Sequence, residues 1–418
     1  MTRIRWFFLI FLRYYRNLGL RVALYAVLAL GVAFVSPLAA AKVSDWTPLD
    51  LSFESVTPVL TILASSMLAV STFSLSIMVS AHRAASAATT PRVHRLLLED
   101  TTTQSVLATF IGAFVYSLTS IILYRSSFYA DEAALLVMGV TGLVAALVVV
   151  SLLRWIDLLK DLGSIDESVQ LAQERAAAVL DAFGRQPNFG AAPLTEATVA
   201  PVTSRKLRAP ASGIVQLIDI ARIKNCLPDA SAIYVLTRPG RHVVDGEILA
   251  EVAGQIEDDV ARNLVEAFTI GRNRTHEQDT EFGLIVLAEI ASRALSPGIN
   301  DPGTAIQTIV ALKEVLWSYA QTPKDEDASV ATNIFVRFPD ERDLLRAAFA
   351  AIARDGASTI EVAMALRETL RALAQHDEDM FADAAQDLAE LSLAYCQAAG
   401  LLEEHLENLA SIQILPKR

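Results

Sequence analysis

Residues 55–81 read SVTPVLTILASSMLAVSTFSLSIMVSA, 27 positions without a charged side chain. That exceeds the roughly 20 apolar residues a helix needs to cross the hydrocarbon core of a bilayer, so the stretch predicts a membrane span. Ten of its residues carry hydroxyls, and Ser65, Thr72, Ser76 and Ser80 recur at intervals that place them near one helical face. Two accounts fit that face. Small hydroxylated residues let helices approach and can bond back to their own helix or across to a neighbour. Alternatively, the face lines a water-filled path.

Working outward, three further uncharged runs flank it. Residues 22–41 give one span closed by Lys42, residues 101–124 a third and residues 133–153 a fourth. The last two are joined by a short turn carrying Arg125, Asp131 and Glu132, with Gly112, Gly139 and Gly142 as places for close backbone approach. Before the first span, residues 1–20 interleave Arg3, Arg5, Arg13 and Arg16 with Trp6, Phe7, Phe8, Phe11, Tyr14 and Tyr15, the composition of an interfacial helix in the headgroup layer.

Basic residues fix an expected orientation. Four arginines lie within residues 1–20, ahead of the first span, and Arg83, Arg92 and Arg95 occupy the loop between the second and third, whereas the opposite loops hold only Lys42 and Arg125 among several acids. Four spans with an inside start put both termini in the cytoplasm of a bacterial inner membrane. His82, Arg83, Arg92, His94 and Arg95 make a basic collar, read either as ordinary topology determination or as a ring that draws anions to a pore mouth.

Composition divides the 418-residue chain. It is 53% hydrophobic with 20% charged residues, and its net charge of −12 comes from the part after residue 153, the part before it being slightly basic. Such acidity does not suit nucleic acid. Cys226 and Cys396 are far apart in sequence and suggest neither a disulfide framework nor a metal motif. The expected class is therefore mainly α: a four-helix transmembrane bundle (residues 21–153) plus a cytoplasmic α+β domain.

Within that domain, residues 154–204 predict a helical stalk, restarting after Gly163-Ser164, and then a Pro/Gly/Ala-rich linker. Residues 205–254 carry short alternating runs (GIVQLID, AIYVLTR, HVVDG, ILAEV) broken by Gly and Pro, which predict a small β unit. Ala209-Pro210, Ser212-Gly213-Ile214-Val215 and the run Pro239 to Leu249 resemble the barrel-sandwich of biotinyl and lipoyl carrier domains. No lysine follows Leu249 where the carrier lysine would sit, so the resemblance implies the shape without the prosthetic group, and no cofactor is expected. Residues 255–418 read as mostly helical, with one strand at TNIFVRF.

Two polar features stand out there. Arg272, Arg274, His276, Gln278, Asp279 and Glu281 crowd the entry to an apolar helix over 282–295. After it, Ser296-Pro297-Gly298 stops the helix and Asn300 or Asp301 caps the next, with Pro302 at its first turn. The alternative for that corner is an anion or subunit site formed by the amides after Asp301 with Arg293. The stretches PRVHRLLLEDTTTQSVLATFIGAFVYSL, SGIVQLID, RPGRHVVDGEIL, FTIGRNRTHEQDTEFGL and IASRALSPGINDPGTA are similar to a bacterial predicted membrane protein family, the domain of unknown function twenty-two fifty-four. That resemblance implies a membrane protein and carries no activity to any residue.

Catalytic signatures are missing: no phosphate loop, no G-x-S-x-G elbow, no H-E-x-x-H pair. No acid or base interrupts the four spans, which argues against a coupled transporter. The expectation is an oligomeric channel or pore for a small ion, with Ser65, Thr72, Ser76 and Ser80 lining it, no metal and no enzymatic role. The competing readings are a membrane anchor for a ligand- or partner-binding module without transport and, last, a membrane-bound enzyme.

Overall fold

A computed structural model describes residues 23–24, 27–28, 30–31, 53–88, 90–93, 101–126, 134–161, 163–198, 200–325 and 330–415. The chain divides into two units, one formed by residues up to 167 apart from 88–93, the other by 88–93 and 168–418. The expected interfacial helix and nearly all of the expected first span fall outside the described residues.

Three long helices make up most of the described part of the first unit: α1 (Phe53–Ala88), α2 (Thr101–Arg125) and α3 (Ala134–Asp161). Each contains a stretch long and apolar enough to cross a membrane, so three candidate spans stand among the described residues where the sequence predicts four. Their shared core is Phe53, Val56, Leu60, Leu63 and Met67 of α1, Val106, Phe110, Ala113 and Tyr116 of α2, and Val137, Val144, Val148 and Trp155 of α3. Tyr116 ties α2 to α3 by a 3.2 Å hydrogen bond with Thr141, whose hydroxyl donates to the Val137 carbonyl. Of the expected contact glycines, Gly112 is buried, whereas Gly139 and Gly142 are exposed with open space around them. They sit on the side of α3 opposite Val137, Thr141 and Val144, which face α2 instead.

α3 runs on past Leu153 to Asp161, and the chain restarts as α4 (Ile165–Arg185) where Gly163-Ser164 predicted a break. Ser164 Oγ accepts from the Glu167 amide at 3.0 Å, and the Glu167 carboxylate accepts from the Gly163 amide at 3.0 Å. This reciprocal arrangement satisfies amides that a helix start leaves without partners.

In the second unit, α4 leads through a short 3₁₀ turn (Pro187–Gly190) to β1 (Ala191–Pro193), so the expected linker holds an element of the sheet. There follow β2 (Arg205–Arg208), β3 (Gly213–Ile218), α5 (Ile220–Cys226), β4 (Ala232–Val235), β5 (His242–Val243), β6 (Ile248–Ala253), α6 (Asp258–Val265) and β7 (Phe268–Gly271). These do not close a barrel. One five-stranded sheet has the order β1-β8-β4-β6-β2 and a separate antiparallel sheet the order β5-β3-β7, with β8 spanning Ala331–Val336. The carrier-like barrel fails because the strands of the 205–254 unit find partners beyond it: β4 lies parallel to β8, and β3 pairs with β7. Propensity within a 45-residue window cannot show such pairings.

The rest is helical: α7 (Phe282–Ala294), α8 (Pro302–Gln321), α9 (Glu341–Asp355), α10 (Ile360–His376), α11 (Glu378–Ala398) and α12 (Glu403–Ser411). α7 packs on α8 and α9, α8 on α10, and α11 on α9 and α10. Leu284, Leu287, Leu312, Leu345, Phe349, Leu370 and Phe381 fill the core between them.

Candidate functional site

The hydroxyl face of α1 turns away from the core of its own unit. Ser65, Thr72, Ser76 and Ser80 are all exposed, while Leu60, Leu63, Met67 and Ser74 are buried. At about 100° per residue, Ser65, Thr72, Ser76 and Arg83 fall within about 40° of one another and diametrically opposite Val56 and Ser74. Ser80 lies to one side, and Leu68, Phe73, Leu75 and Val79 are exposed apolar residues on the flanks of the stripe. Two of the four hydroxyls bond to their own helix: Ser65 Oγ donates to the Thr61 carbonyl at 2.9 Å and Thr72 Oγ1 to the Ala69 carbonyl at 2.9 Å. Back-bonding leaves each oxygen able to accept from outside while sparing the span an unsatisfied polar group. Of the basic collar, Arg83 is exposed and His82 buried, Arg92 is ion-paired with Glu289 of α7, and His94 and Arg95 lie outside the described residues.

The polar run between β7 and α7 takes the opposite form. Arg274 grips Asp279 with two hydrogen bonds of 2.7 and 2.8 Å, and the Asp279 side chain is 1% exposed. Asp279 Oδ1 also accepts from the Phe282 amide at 3.1 Å, capping α7. Gln278 pairs both ways with the backbone of Ile218 in β3, accepting from its amide at 2.8 Å and donating to its carbonyl at 3.1 Å. Gly240, with φ +87°, passes so close that a Cβ there would stand 2.2 Å from Asp279 Oδ2. Only glycine fits both that backbone angle and that distance.

The charges here serve mainly to clamp the two sheets and α7 together. Arg238 reaches Glu281 at 3.1 Å and Asp343 at 3.4 Å. Burial raises the Glu281 carboxyl above its ordinary range, against the pull of Arg238. Burial likewise drives His276 down to about 4, with Arg175 and Arg274 adding to the effect and Asp279 opposing it. Its ring lies 4.5 Å from that of Phe282, and the lowered value leaves it neutral near pH 7. Arg272 stays exposed.

Arg293, Asn300 and Asp301 do not join this cluster, because the 13 residues of α7 hold the two ends about 20 Å apart. They form the helix corner. Asn300 adopts the left-handed conformation (φ 51°), and Asp301 caps α8 by accepting from the Thr304 amide at 3.1 Å and the Thr304 hydroxyl at 2.6 Å. The Thr304 contacts hold Asp301 below the usual carboxylate range. No group of three or more His, Cys, Asp or Glu side chains is arranged to hold a metal among the described residues. Cys226 and Cys396 are both free thiols.

A third feature went unnoticed in the sequence. A cleft of about 520 Å³ opens where the carboxyl ends of the parallel strands β1 and β8 meet α4, α8 and the start of α9. Phe183, Tyr319 and Phe338 line it along with Glu341, Lys324 and Arg337. The crevice beyond the carboxyl ends of parallel strands is a favoured place for ligands. The one available signal was Arg337-Phe338-Pro339-Asp340-Glu341, a strand end turning directly into a capped helix; the other walls are more than 140 residues away in sequence or on separate helices.

The family model described as predicted membrane protein (DUF2254) matches residues 16–372. This chain belongs to that family. Among curated members of similar sequence, an uncharacterized protein of Mycobacterium bovis and one of Mycobacterium tuberculosis are each 28% identical to it over 372 residues, covering 84% of this chain and 71% of theirs. No solved structure matches. The matched region of the DUF2254 protein contains α1 to α3, both sheets and all of the cleft lining except Asp377 and Met380, so membrane helices and the strand-bearing unit belong to one family module.

Proposed function

We propose that this membrane protein is a homo-oligomeric pore for small ions, with α1 of each copy lining a common axis and the second unit acting as an assembly and gating domain. The observation that carries the reading is the stripe of Ser65, Thr72, Ser76 and Arg83 opposite the packed face of α1. Three or four helices are too few to enclose a path alone, so the reading requires a symmetric ring. In lipid, a polar face finds company only against another such face or water. The distribution of arginines supports an inner-membrane orientation with both termini and the acidic second unit in the cytoplasm. No catalytic step belongs to this reading.

The test is conductance of the purified oligomer in planar bilayers, together with its mass in detergent. Current that falls when Thr72→Leu or Ser76→Leu is introduced, and a disulfide between copies of Ser76→Cys, are the expected results. A monomer by mass, or silence from an intact oligomer, would discard the pore. A reporter fused after Arg418 that appeared outside the membrane would discard the orientation.

A further inference from the structure

The cleft at the ends of β1 and β8 has a graded lining. Its inner walls are aromatic: Phe183, Tyr319 and Phe338 are each less than 10% exposed, with Phe183 5.7 Å from Phe338 and 6.2 Å from Tyr319, centroid to centroid. Tyr319 is nine-tenths buried as a residue, but its hydroxyl opens onto the cleft and has no hydrogen-bond partner among the described residues. Burial and the nearby Glu341 carboxylate together push the ionisation of that tyrosine up, so it stays a neutral donor.

Charge is sorted as well. Glu341, half-buried at the first turn of α9, makes neither hydrogen bond nor ion pair among the described residues, whereas the neighbouring acids Asp340 and Asp377 are occupied in capping α9 and α11. Lys324 and Arg337 stand exposed at the rim, also without ion pairs among the described residues. A purely anionic ligand would meet Glu341 inside; a purely cationic one would leave two rim cations unanswered. An apolar ligand would strip water from Tyr319 and Glu341 with no replacement.

We propose that this cleft binds a small zwitterion of amino-acid type, its ammonium group against Glu341 and the faces of the aromatic rings, and its carboxylate at Lys324 and Arg337. Aromatic faces attract ammonium groups, and a guanidinium is suited to carboxylate. The volume lies within the range of small-molecule pockets. The inference is independent of the pore.

Titration calorimetry of the full-length protein in detergent with three probes decides it: L-phenylalanine, phenethylamine and 3-phenylpropionate. L-Phenylalanine is expected to bind about tenfold or more tightly than either probe lacking one charge, one such factor being about 1.4 kcal/mol. Glu341→Gln should bring it to the level of 3-phenylpropionate, and Arg337→Gln to the level of phenethylamine. Both side chains reach solvent, and an unchanged urea midpoint of each variant shows that folding is intact. No heat from any probe at about 10 mM, equal binding of L-phenylalanine and 3-phenylpropionate, or affinity unmoved by both substitutions would overturn the proposal.

Discussion

The hydroxyls of α1 and the charged run between β7 and α7 are both polar groups gathered within a few turns of sequence, yet they reach opposite ends. On α1, Ser65 and Thr72 bond to carbonyls three or four residues back and leave their face open. Between β7 and α7, Asp279 is sealed against Arg274, beside Gly240 some 39 positions upstream, and Gln278 is built into β3. The difference lies in what each group must satisfy. A hydroxyl can be answered by its own helix, whereas a buried carboxylate needs a partner fixed by the fold. An open polar face therefore stays free to meet another helix, water or a ligand, whereas a closed one is committed to architecture.

The comparison breaks most visibly at Asp279. Removing it leaves Arg274 half-sealed and uncompensated, so Asp279→Ala is expected to lower unfolding stability in urea by about 3 kcal/mol. Gly240→Ala should act in the same direction, since its Cβ has nowhere to go. A loss below about 0.5 kcal/mol in both would mean the clamp is ornamental.

Acid gives the next largest effect. The folded protein holds His276 neutral down to about pH 4, while the unfolded chain takes up that proton near 6.5. Stability from this site is complete above pH 6.5 and drains away as pH falls toward 4, by about 3 kcal/mol for a fully buried ring and about 2 kcal/mol with the partial exposure of this one. His276→Phe should flatten the pH profile across that window; an unchanged slope would show that the ring is not the group responsible.

At the α7–α8 corner, Asp301→Ala should cost about 1 kcal/mol, the ordinary worth of a helix cap, and Asp301→Asn distinctly less. Smallest of all, Thr72→Val and Ser76→Ala on α1 should shift stability by less than about 0.5 kcal/mol. A larger loss there would turn the open face into a packing surface.

What could be read without coordinates follows the same division. Uncharged length marked α1, α2 and α3, and the Gly163-Ser164 break and the Asp301-Pro302 start were legible because caps are local chemistry. The sheets were not. The runs GIVQLID, AIYVLTR and ILAEV overlap the strands at 213–218, 232–235 and 248–253, but β2 (Arg205–Arg208) shows no such run and the partners β7 and β8 lie outside the unit, so the expected barrel is in fact two open sheets. The cleft stayed hidden for the same reason, since Phe183, Tyr319 and Phe338 meet only through tertiary packing. The outward turn of the α1 stripe also depended on which face α2 and α3 would claim.

The placement of β8 between β1 and β4 has a consequence during synthesis. Strand β4 ends at Val235 but its parallel neighbour begins only at Ala331, so about 100 residues must emerge, at ~5–20 residues per second, before that flank is covered. For about 5–20 s the nascent chain presents Ile233 and Val235 along a bare strand edge while its helices are already seeking the bilayer. A ribosome stalled in this interval would expose the species most prone to clump, and a chaperone that guards unpaired strands would find its client there.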